Sequence, residues 1–298
     1  MTVGVLVMAY GTPASPADVE SYYTHIRRGR PPTAEQLADL QRRYDAIGGI
    51  SPLLEITQSQ CARLSTALGE GFRVALGQKH AAPFIEDGVA ELAAADVSSI
   101  VGVVLAPHYS AFSVGQYAAR LLEAATALRL PASTVHSWHL LPAYLAFVDR
   151  EVQNALVGMP AGSEVVFTAH SLPQRITESG DPYPGQVRET AELVATRRSI
   201  GLWSTAWQSA GRTPEPWLGP DILDVVRGRA AAGAAGIVVC ACGFTADHLE
   251  VLYDLDIEAS TLAAELGLPF ARTASINDDE RVFAGLADVV RREAATLA

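Results

Sequence analysis

Short apolar runs alternate with longer amphipathic stretches along the whole 298-residue chain. Helices that connect parallel strands cover both faces of a sheet, so the strands between them become continuous apolar runs; the alternation therefore predicts an α/β fold with parallel sheets. The predicted strands are Val3–Met8, Phe72–Leu76, Ile100–Ala106, Ser133–Trp138, Glu164–Ala169, Gly201–Ala206 and Gly236–Cys242. The longer predicted helices are Ala34–Ile47, Pro52–Ala67, Val114–Leu128, Ala143–Leu156 and Gln186–Ala195.

Two segments of the chain resemble each other, which indicates an internal repeat. Residues 103–110 (VVLAPHYS) and 165–172 (VVFTAHSL) are both apolar strands that end in a histidine near a serine. A chain of this length also accommodates two domains, each with its own core. We therefore expect two similar Rossmann-like domains, over residues 1–140 and 141–278, with a last helix over 279–298 that packs back on the first. In such sheets, ligands bind beyond the carboxyl ends of the strands.

The charge of the chain disfavours two classes of partner. A formal net charge of −11 argues against nucleic acid and anionic membranes as general partners. The basic residues are nevertheless uneven, because five arginines cluster near the start: Arg27, Arg28, Arg30, Arg42 and Arg43. Guanidinium groups bind carboxylates through paired hydrogen bonds, so the cluster is a candidate anion site. Exposed arginines that only aid solubility are the alternative.

Apolar runs and cysteines bear on the cellular compartment. Runs such as Val3–Met8 are too short to span a bilayer, so no transmembrane segment is expected. The first residues form a strand-like run without a basic region or cleavage site, so we expect no signal peptide. Cys61, Cys240 and Cys242 are too few for a disulfide framework, and the last two are expected to be buried small hydrophobic residues. A cytoplasmic protein is therefore expected.

An acidic row follows the last apolar strand. Glu250, Asp254 and Glu258 recur every four residues, which places them on one side of a predicted helix with Thr245 or Asp247 as its N-cap. Stacked carboxylates repel one another and weaken a helix. A row of hard oxygen atoms nevertheless suits a divalent cation or a chain of proton acceptors. A solvated helix face is the alternative, although the flanking apolar residues disfavour it.

Two residues at predicted strand ends are candidates for chemistry. His170 follows a buried strand, and histidine suits proton abstraction or, paired with Glu250, a divalent-metal site with open positions. Tyr10 follows the first strand and precedes a turn at Gly11 and Pro13, where it is placed to stack on a flat ligand or to ligate a metal. The alternatives are a hydrogen-bonded structural histidine and a core aromatic residue. The chain has no GxGxxG motif and no P-loop, which disfavours nucleotide binding.

A series of short motifs, in order along the chain, is similar to those of one enzyme family. The motifs are Met8–Pro13, Tyr22–Arg30, Arg43–Leu53, Lys79–His80, Ala106–Ser110, Ala169–Pro173, Trp207–Ser209, Pro216–Pro220 and Asp247–Glu250. In these motifs the chain resembles the ferrochelatases, and the resemblance runs from residue 3 to Asn277 and Asp278. Tyr10 and the arginine-rich second motif resemble the Gram-positive and actinobacterial enzymes that metallate coproporphyrin III.

The resemblance implies a role for each candidate residue. It implies a porphyrin cleft between the two domains, with His170 and Glu250 as the catalytic residues. Residues that handle the metal would be His170, Glu250, Asp254 and Glu258. Residues that contact the porphyrin or its propionates would be Tyr10, Arg27, Arg43, Tyr44, Ser51 and Tyr117. The four propionates of coproporphyrin III would give the arginines a specific purpose.

The resemblance also implies the substrates and partners. The activity would be insertion of ferrous iron into coproporphyrin III, which forms iron-coproporphyrin in haem biosynthesis. Fe2+ is then a substrate, and no permanently bound cofactor is expected. We expect no [2Fe–2S] cluster, because three cysteines are fewer than the usual four ligands and none follows Cys242. The next enzyme of the haem pathway is a further candidate partner.

Other functions stay open at this point. The substrate of a related enzyme could be protoporphyrin IX, or another tetrapyrrole that receives cobalt or nickel at a similar histidine–carboxylate site. A non-catalytic porphyrin or haem carrier would bind the macrocycle without turnover, but it would not need a row of proton acceptors. A sugar-binding protein with two α/β lobes fits the architecture but leaves His170, Tyr10 and the acidic row unexplained.

Overall fold

Two separate parallel sheets of four strands form the framework in the computed structural model, which describes residues 2–211 and 213–297. The first sheet has the order β2-β1-β3-β4 and contains β1 (Val3–Ala9), β2 (Phe72–Gln78), β3 (Ser99–Val104) and β4 (Ala132–Val135). The second has the order β6-β5-β7-β8 and contains β5 (Glu164–His170), β6 (Trp203–Gln208), β7 (Ile237–Cys240) and β8 (Phe270–Arg272). The predicted α/β fold with two parallel sheets is confirmed.

Helices connect the strands of both sheets. They are α1 (Val19–Ile26), α2 (Ala34–Ala46), α3 (Leu53–Leu68), α4 (Ile85–Ala94), α5 (Val114–Ala127), α6 (Pro142–Leu156), α7 (Tyr183–Arg198), α8 (Ile222–Ala231), α9 (Leu249–Leu252), α10 (Ser260–Glu265) and α11 (Glu280–Ala295). Short 3-10 turns lie at Pro16–Asp18 and Gln174–Ile176. Each of the longer predicted helices is present. In the described residues, no helix is both long and apolar enough to cross a membrane.

The predicted internal repeat pairs the wrong strands. The two strand orders match when β1 is aligned with β5 and β3 with β7. The similar segments 103–110 and 165–172 instead belong to β3 and β5, which are not equivalent. Inner strands of a covered sheet are apolar at every position, so resemblance between apolar runs does not identify equivalent strands. The edge strand β8 is not predicted, because its three residues are too short a run.

One hydrophobic core is shared by the two halves of the chain. It contains Val7 and Val103 of the first sheet and Phe167 and Val238 of the second. Helix α11 contributes Leu286 to this core and packs against α3, α6 and the β3–β4 side of the first sheet. Because the shared core crosses residue 140, the domain boundary there stays a prediction.

Helix α2 is fixed by a reciprocal cap at its start. The Thr33 hydroxyl accepts the Gln36 main-chain N–H, and the Gln36 side chain accepts the Thr33 N–H, which is a capping box. The last turn of this helix carries Arg43 and Tyr44. The cap thus fixes the start of the helix that carries two of the predicted substrate residues.

The helix predicted after Gly243 differs from the expectation in its cap and in its winding. His248, not Thr245 or Asp247, is the residue before α9. The Thr245 hydroxyl donates to the Leu105 carbonyl, and the Asp247 carboxylate accepts from other side chains, so neither is available as a cap. Residues 254–259 form a π-helical segment, in which the Glu258 N–H donates to the Tyr253 carbonyl at 2.9 Å. Four-residue spacing alone does not distinguish α from π winding.

Candidate active site

The carboxyl end of β5 and helix α9 bring His170 and Glu250 together. His170 is the last residue of β5, and Glu250 is the second residue of α9. His170 Nε2 lies 3.5 Å from Glu250 Oε1. His170 Nδ1 donates to the Ser171 carbonyl at 2.5 Å, which leaves Nε2 for the carboxylate. The two side chains are 36% and 35% exposed, so a substrate can reach them.

A second histidine holds the other oxygen of the same carboxylate. His248 Nε2 lies 3.5 Å from Glu250 Oε2. Its Nδ1 donates to the Ala246 carbonyl at 3.0 Å, which fixes the ring orientation. The sequence does not predict this contact as part of the site, although His248 lies inside the Asp247–Glu250 motif.

The His170–Glu250 pair carries a proton at neutral pH. Burial alone would lower the pKa of His170, but the charge of Glu250 and hydrogen bonds to Glu250 and Ser171 raise it to about 9. Burial would raise the pKa of Glu250, but His170 and His248 hold it well below its usual range. The resting site is therefore an imidazolium beside a carboxylate.

The next acid of the row has a different charge state. Asp254 is buried and accepts a hydrogen bond from Ser209 Oγ at 2.5 Å. Arg43 Nη1 lies 3.6 Å from Asp254 Oδ1. Burial raises the pKa of Asp254 to about 7, against the effects of Ser209 and Arg43, and the charges of Glu250 and Glu258 add to the rise. The row therefore contains a carboxyl group that exchanges protons near neutral pH.

The charge of the same carboxylate acts on phenol side chains of the first half. Tyr10 follows β1, is 43% exposed and places its ring 4.6 Å from the ring of His80. Tyr44 is buried, and its hydroxyl lies 3.4 Å from the Thr12 hydroxyl. Burial raises the pKa of Tyr10, and that of Tyr44 to about 12, and Glu250 contributes to both increases. Glu250 of the second half thus influences the ionisation of Tyr10 and Tyr44 in the first half.

Comparison with known proteins identifies the family of this chain. The sequence model of the family described as Ferrochelatase matches residues 2–294. The chain belongs to the ferrochelatase family. Coproporphyrin III ferrochelatase of Geobacillus kaustophilus (strain HTA426) is 44% identical over 300 residues, which cover 97% of this chain and 95% of the relative. The protein of that name from Bacillus subtilis (strain 168) is 43% identical over 302 residues, covering 98% and 97%. The predicted membership of the ferrochelatase family is confirmed.

Solved structures of chelatases share the fold. SirB from Bacillus subtilis with Fe3+ aligns with a TM-score of 0.60 over 99% of this chain and 96% of that chain, at 14% identity. CbiX, the terminal enzyme for biosynthesis of sirohaem in denitrifying bacteria, aligns with a TM-score of 0.55 over 97% and 98%, at 15% identity. At these identities the likeness concerns the fold alone, and it confirms the predicted chelatase fold.

Other predicted substrate residues of this ferrochelatase-family chain lie on separate parts of the first half. A surface cavity of about 410 Å³ is lined by Ile26, Arg27, Arg28 and Arg30. Ser51 is buried, and its hydroxyl accepts the Leu53 N–H at the start of α3. Tyr117 is buried in α5, with the Lys79 ammonium 5.1 Å from its ring centre. No hydrogen bond or ion pair in the described residues joins these groups to the His170–Glu250 pair, although the charge of Glu250 adds to the effect of burial in raising the pKa of Tyr117.

The predicted metal donors lie at the candidate site, whereas two of the three cysteines lie in the shared core. Within residues 2–211 and 213–297, no group of three or more His, Cys, Asp or Glu side chains is placed to hold a metal ion. The side chains that meet at the site are Glu250 and the two histidines beside its oxygens, His170 and His248. Cys240 and Cys242 are buried in the shared core, as expected, and burial raises the pKa of the Cys240 thiol to about 12. The absence of a [2Fe–2S] cluster stays a prediction.

Proposed function

We propose that this enzyme inserts ferrous iron into coproporphyrin III and forms iron-coproporphyrin. The observation that carries the proposal is the His170–Glu250 pair, with Nε2 and Oε1 3.5 Å apart. Relatives named coproporphyrin III ferrochelatase, at 42–44% identity over nearly the full chain, support the choice of porphyrin.

The reaction sets a simple demand on the site. Two pyrrole N–H bonds break, iron–nitrogen bonds form, and two protons leave, while iron remains ferrous. The protein must therefore accept protons beside the porphyrin nitrogen atoms and pass them to water. It must do so with groups whose pKa values lie near the working pH.

His170 is proposed to be the proton acceptor. Its pKa of about 9 means that the imidazole holds a proton in the resting site, next to the ionised Glu250. A ferrous ion that arrives beside this pair lowers both pKa values, because a nearby cation disfavours the protonated form. The imidazole then passes its resting proton through the acidic row to water, and once iron has moved into the ring it can accept a proton from a pyrrole nitrogen. Glu250 balances the charge of the imidazolium that forms.

Asp254 and Glu258 are proposed to carry the released protons outward and to hold hydrated metal on its way in. Asp254 lies one helical turn beyond Glu250, and its pKa of about 7 allows it to accept and release protons at neutral pH. Glu258 lies one turn further, on the partly exposed end of the π-helical segment. The row thus offers a route for protons from the His170–Glu250 pair to solvent.

The first half is proposed to bind the macrocycle and its carboxylates. Arg27 lines the surface cavity together with two further arginines, and charge-assisted bonds from arginine are the strong ones for carboxylates. Arg43, Tyr44, Ser51 and Tyr117 are proposed to contact the porphyrin or its propionates. Tyr10, from the opposite side to His170, would contact the face of the ring.

The proposed function also predicts where the protein acts and which enzyme receives its product. The three cysteines are free thiols, which suits a reducing cytoplasm. The product keeps its four propionates, so the next haem-pathway enzyme, which stays a predicted partner, must accept a tetracarboxylate.

An anaerobic metallation assay tests the proposal. Purified protein is mixed with ferrous iron and either coproporphyrin III or protoporphyrin IX, and the absorption change on metallation is followed. We expect kcat/KM for coproporphyrin III to be at least about 100-fold higher, since the loss of two charge-assisted contacts is worth roughly 3 kcal/mol or more. A preference for protoporphyrin IX would overturn the choice of substrate, and tight binding without insertion would indicate a carrier.

A pair of arginine variants separates specific recognition from general charge. Arg27→Ala should raise KM for coproporphyrin III about tenfold and leave kcat unchanged, because it removes a binding contact distant from the chemistry. Arg73→Ala is the matched control, since Arg73 is exposed near the amino end of β2, opposite the carboxyl ends of the strands. Equal KM changes in the two variants would contradict the proposed propionate site.

A further inference from the structure

A buried glutamine links the strand that carries His170 to the main chain of Glu250. Gln208 is the last residue of β6, is 1% exposed and lies opposite His170 in the register of the sheet. Its Nε2 donates to the Glu250 carbonyl at 2.9 Å. Its Oε1 accepts from the Thr168 hydroxyl at 2.9 Å. One side-chain amide thus joins β5, β6 and α9.

The segment that holds Glu250 has little regular helix to fix it. Helix α9 has only four residues, and the winding changes at Tyr253, whose carbonyl accepts from both Ile257 N and Glu258 N. Short helices are marginal without packing or extra hydrogen bonds. The hydrogen bond from Gln208 therefore holds the main chain at Glu250 in place.

The residue after Gln208 reaches the next acid of the row. Ser209 has φ 59°, in the left-handed region that a serine adopts at an energetic cost, and its hydroxyl donates to Asp254. Strained backbone persists where the surrounding structure determines it, and it clusters at functional sites. The end of β6 thus contacts Glu250 through its main chain and Asp254 through its side chain.

We propose that Gln208 is a positioning residue that holds Glu250 in line with His170, with Thr168 orienting the amide. This inference rests on the function proposed above. An amide is required because one end must donate to a carbonyl while the other accepts from a hydroxyl. The bond to Thr168 is buried and the bond to Glu250 is partly buried, so water competes little for the amide.

Gln208→Met keeps the side-chain length and removes both hydrogen bonds. We expect kcat for ferrous insertion into coproporphyrin III to fall about 30-fold, since a displacement of about 1 Å can lower a rate about 100-fold. KM for the porphyrin should stay within about twofold, because the proposed porphyrin contacts are unchanged. A purely structural role would lower the melting temperature without this split between kcat and KM.

Thr168→Val tests the same chain of hydrogen bonds with Gln208 still in place. If Gln208→Met fails to fold, Thr168→Val still tests the proposal. We expect about a fivefold loss of kcat, the equivalent of one neutral hydrogen bond, and recovery in Thr168→Ser, which keeps the hydroxyl. In the double variant Thr168→Val should add no further loss, because it acts through Gln208.

Thr134→Val is the matched control for the threonine substitution. Thr134 is a buried threonine of β4 in the first sheet, and its hydroxyl has no hydrogen-bond partner among the described residues. It should keep wild-type kcat. Wild-type kcat in Gln208→Met, or additive losses in the double variant, would overturn the positioning role. If Gln208→Met does not fold, wild-type kcat in Thr168→Val would overturn it.

Wild-type protein in the same assay separates the two proposals. If wild-type protein binds coproporphyrin III without metallating it, the proposed function fails and the inference fails with it. If wild-type protein and Gln208→Met are equally active, only the positioning role fails.

Discussion

His108 follows the inner strand β3, and His170 is the last residue of the inner strand β5. The surroundings of the two side chains are opposite in character. His108 is 1% exposed, with Nε2 2.9 Å from the Thr190 hydroxyl and Nδ1 without a partner in the described residues. His170 is open to substrate and faces Glu250. Burial, with His139 as a smaller cause, lowers the pKa of His108 to about 3, whereas Glu250 raises that of His170 to about 9 despite burial. The two histidines thus differ because burial dominates the pKa of His108, whereas the carboxylate of Glu250 outweighs burial at His170, the proposed catalytic residue.

The contrast between the two histidines would be contradicted most clearly if loss of His170 left turnover intact. His170→Ala should lower kcat for metallation about 1000-fold, roughly 4 kcal/mol, because it removes the proposed proton acceptor. Thermal stability should change little, since the side chain is partly exposed. Stopped-flow absorbance under anaerobic conditions measures the rate. Turnover within tenfold of wild type would show that His170 is not the acceptor.

Acid should destabilise the protein through His108. Its folded-state pKa of about 3 lies below the ordinary value of 6.5, so its contribution is complete above pH 6.5 and is lost as pH falls towards 3. Between pH 6.5 and 4 the loss should be roughly 3 kcal/mol, at about 1.4 kcal/mol per pH unit. The groups around the ring are His139, Tyr144, Tyr183 and Thr190, and Glu189 pairs with His139.

His108→Gln isolates this effect, because it removes the titration and keeps a polar group near Nε2. Urea unfolding of both proteins at several pH values gives the two curves. His80, whose pKa burial also lowers to about 3, is present in both proteins and cancels in the difference. Parallel curves would contradict a buried, neutral His108.

At neutral pH, His108→Leu should separate stability from catalysis. We expect a loss of about 2 kcal/mol of unfolding free energy, because the hydrogen bond to Thr190 disappears inside the core. The value of kcat should remain within about twofold of wild type, as expected for a residue outside the reacting site. A large drop in kcat with stability unchanged would give His108 a catalytic role and remove the contrast with His170.

The smallest effect should come from the hydroxyl that bonds His108. Thr190→Val should lower unfolding free energy by about 1 kcal/mol and leave kcat unchanged. Calorimetric melting curves and the metallation assay measure the two quantities. A change in kcat here would show that the His108 cluster is coupled to the site.

The parts of the fold that follow from sequence are those with strong local patterns. The inner strands, such as Val3–Ala9 and Glu164–His170, are apolar throughout, and the longer helices have clear periodicity. Strand β8 has too few residues to give such a pattern. The π-helical winding at Asp254–Ala259 leaves no trace in the spacing of the acids, because i and i+4 share a side in either winding.

The candidate site likewise contains residues that the sequence identifies and contacts that it does not. His170 and Glu250 are identifiable from their positions after strands and from the family motifs. Contacts between distant segments are not, because they depend on how the elements pack: His248 on the second oxygen of Glu250, Arg43 on Asp254 and Gln208 on the Glu250 carbonyl. All three residues lie within motifs that resemble the family, so a signal existed, but it did not reveal these contacts.

A pH titration of the imidazole resonances in wild-type protein, followed by NMR, tests the central claim most directly. The account predicts that His170 titrates near pH 9 and that His108 shows no titration above pH 4 in the folded protein. A His170 that titrates near 6.5 would mean that Glu250 does not hold a proton on it, and a His108 that titrates near 6.5 would mean that it is not sealed in the core. Either result would remove the physical difference on which the assignment of the site depends.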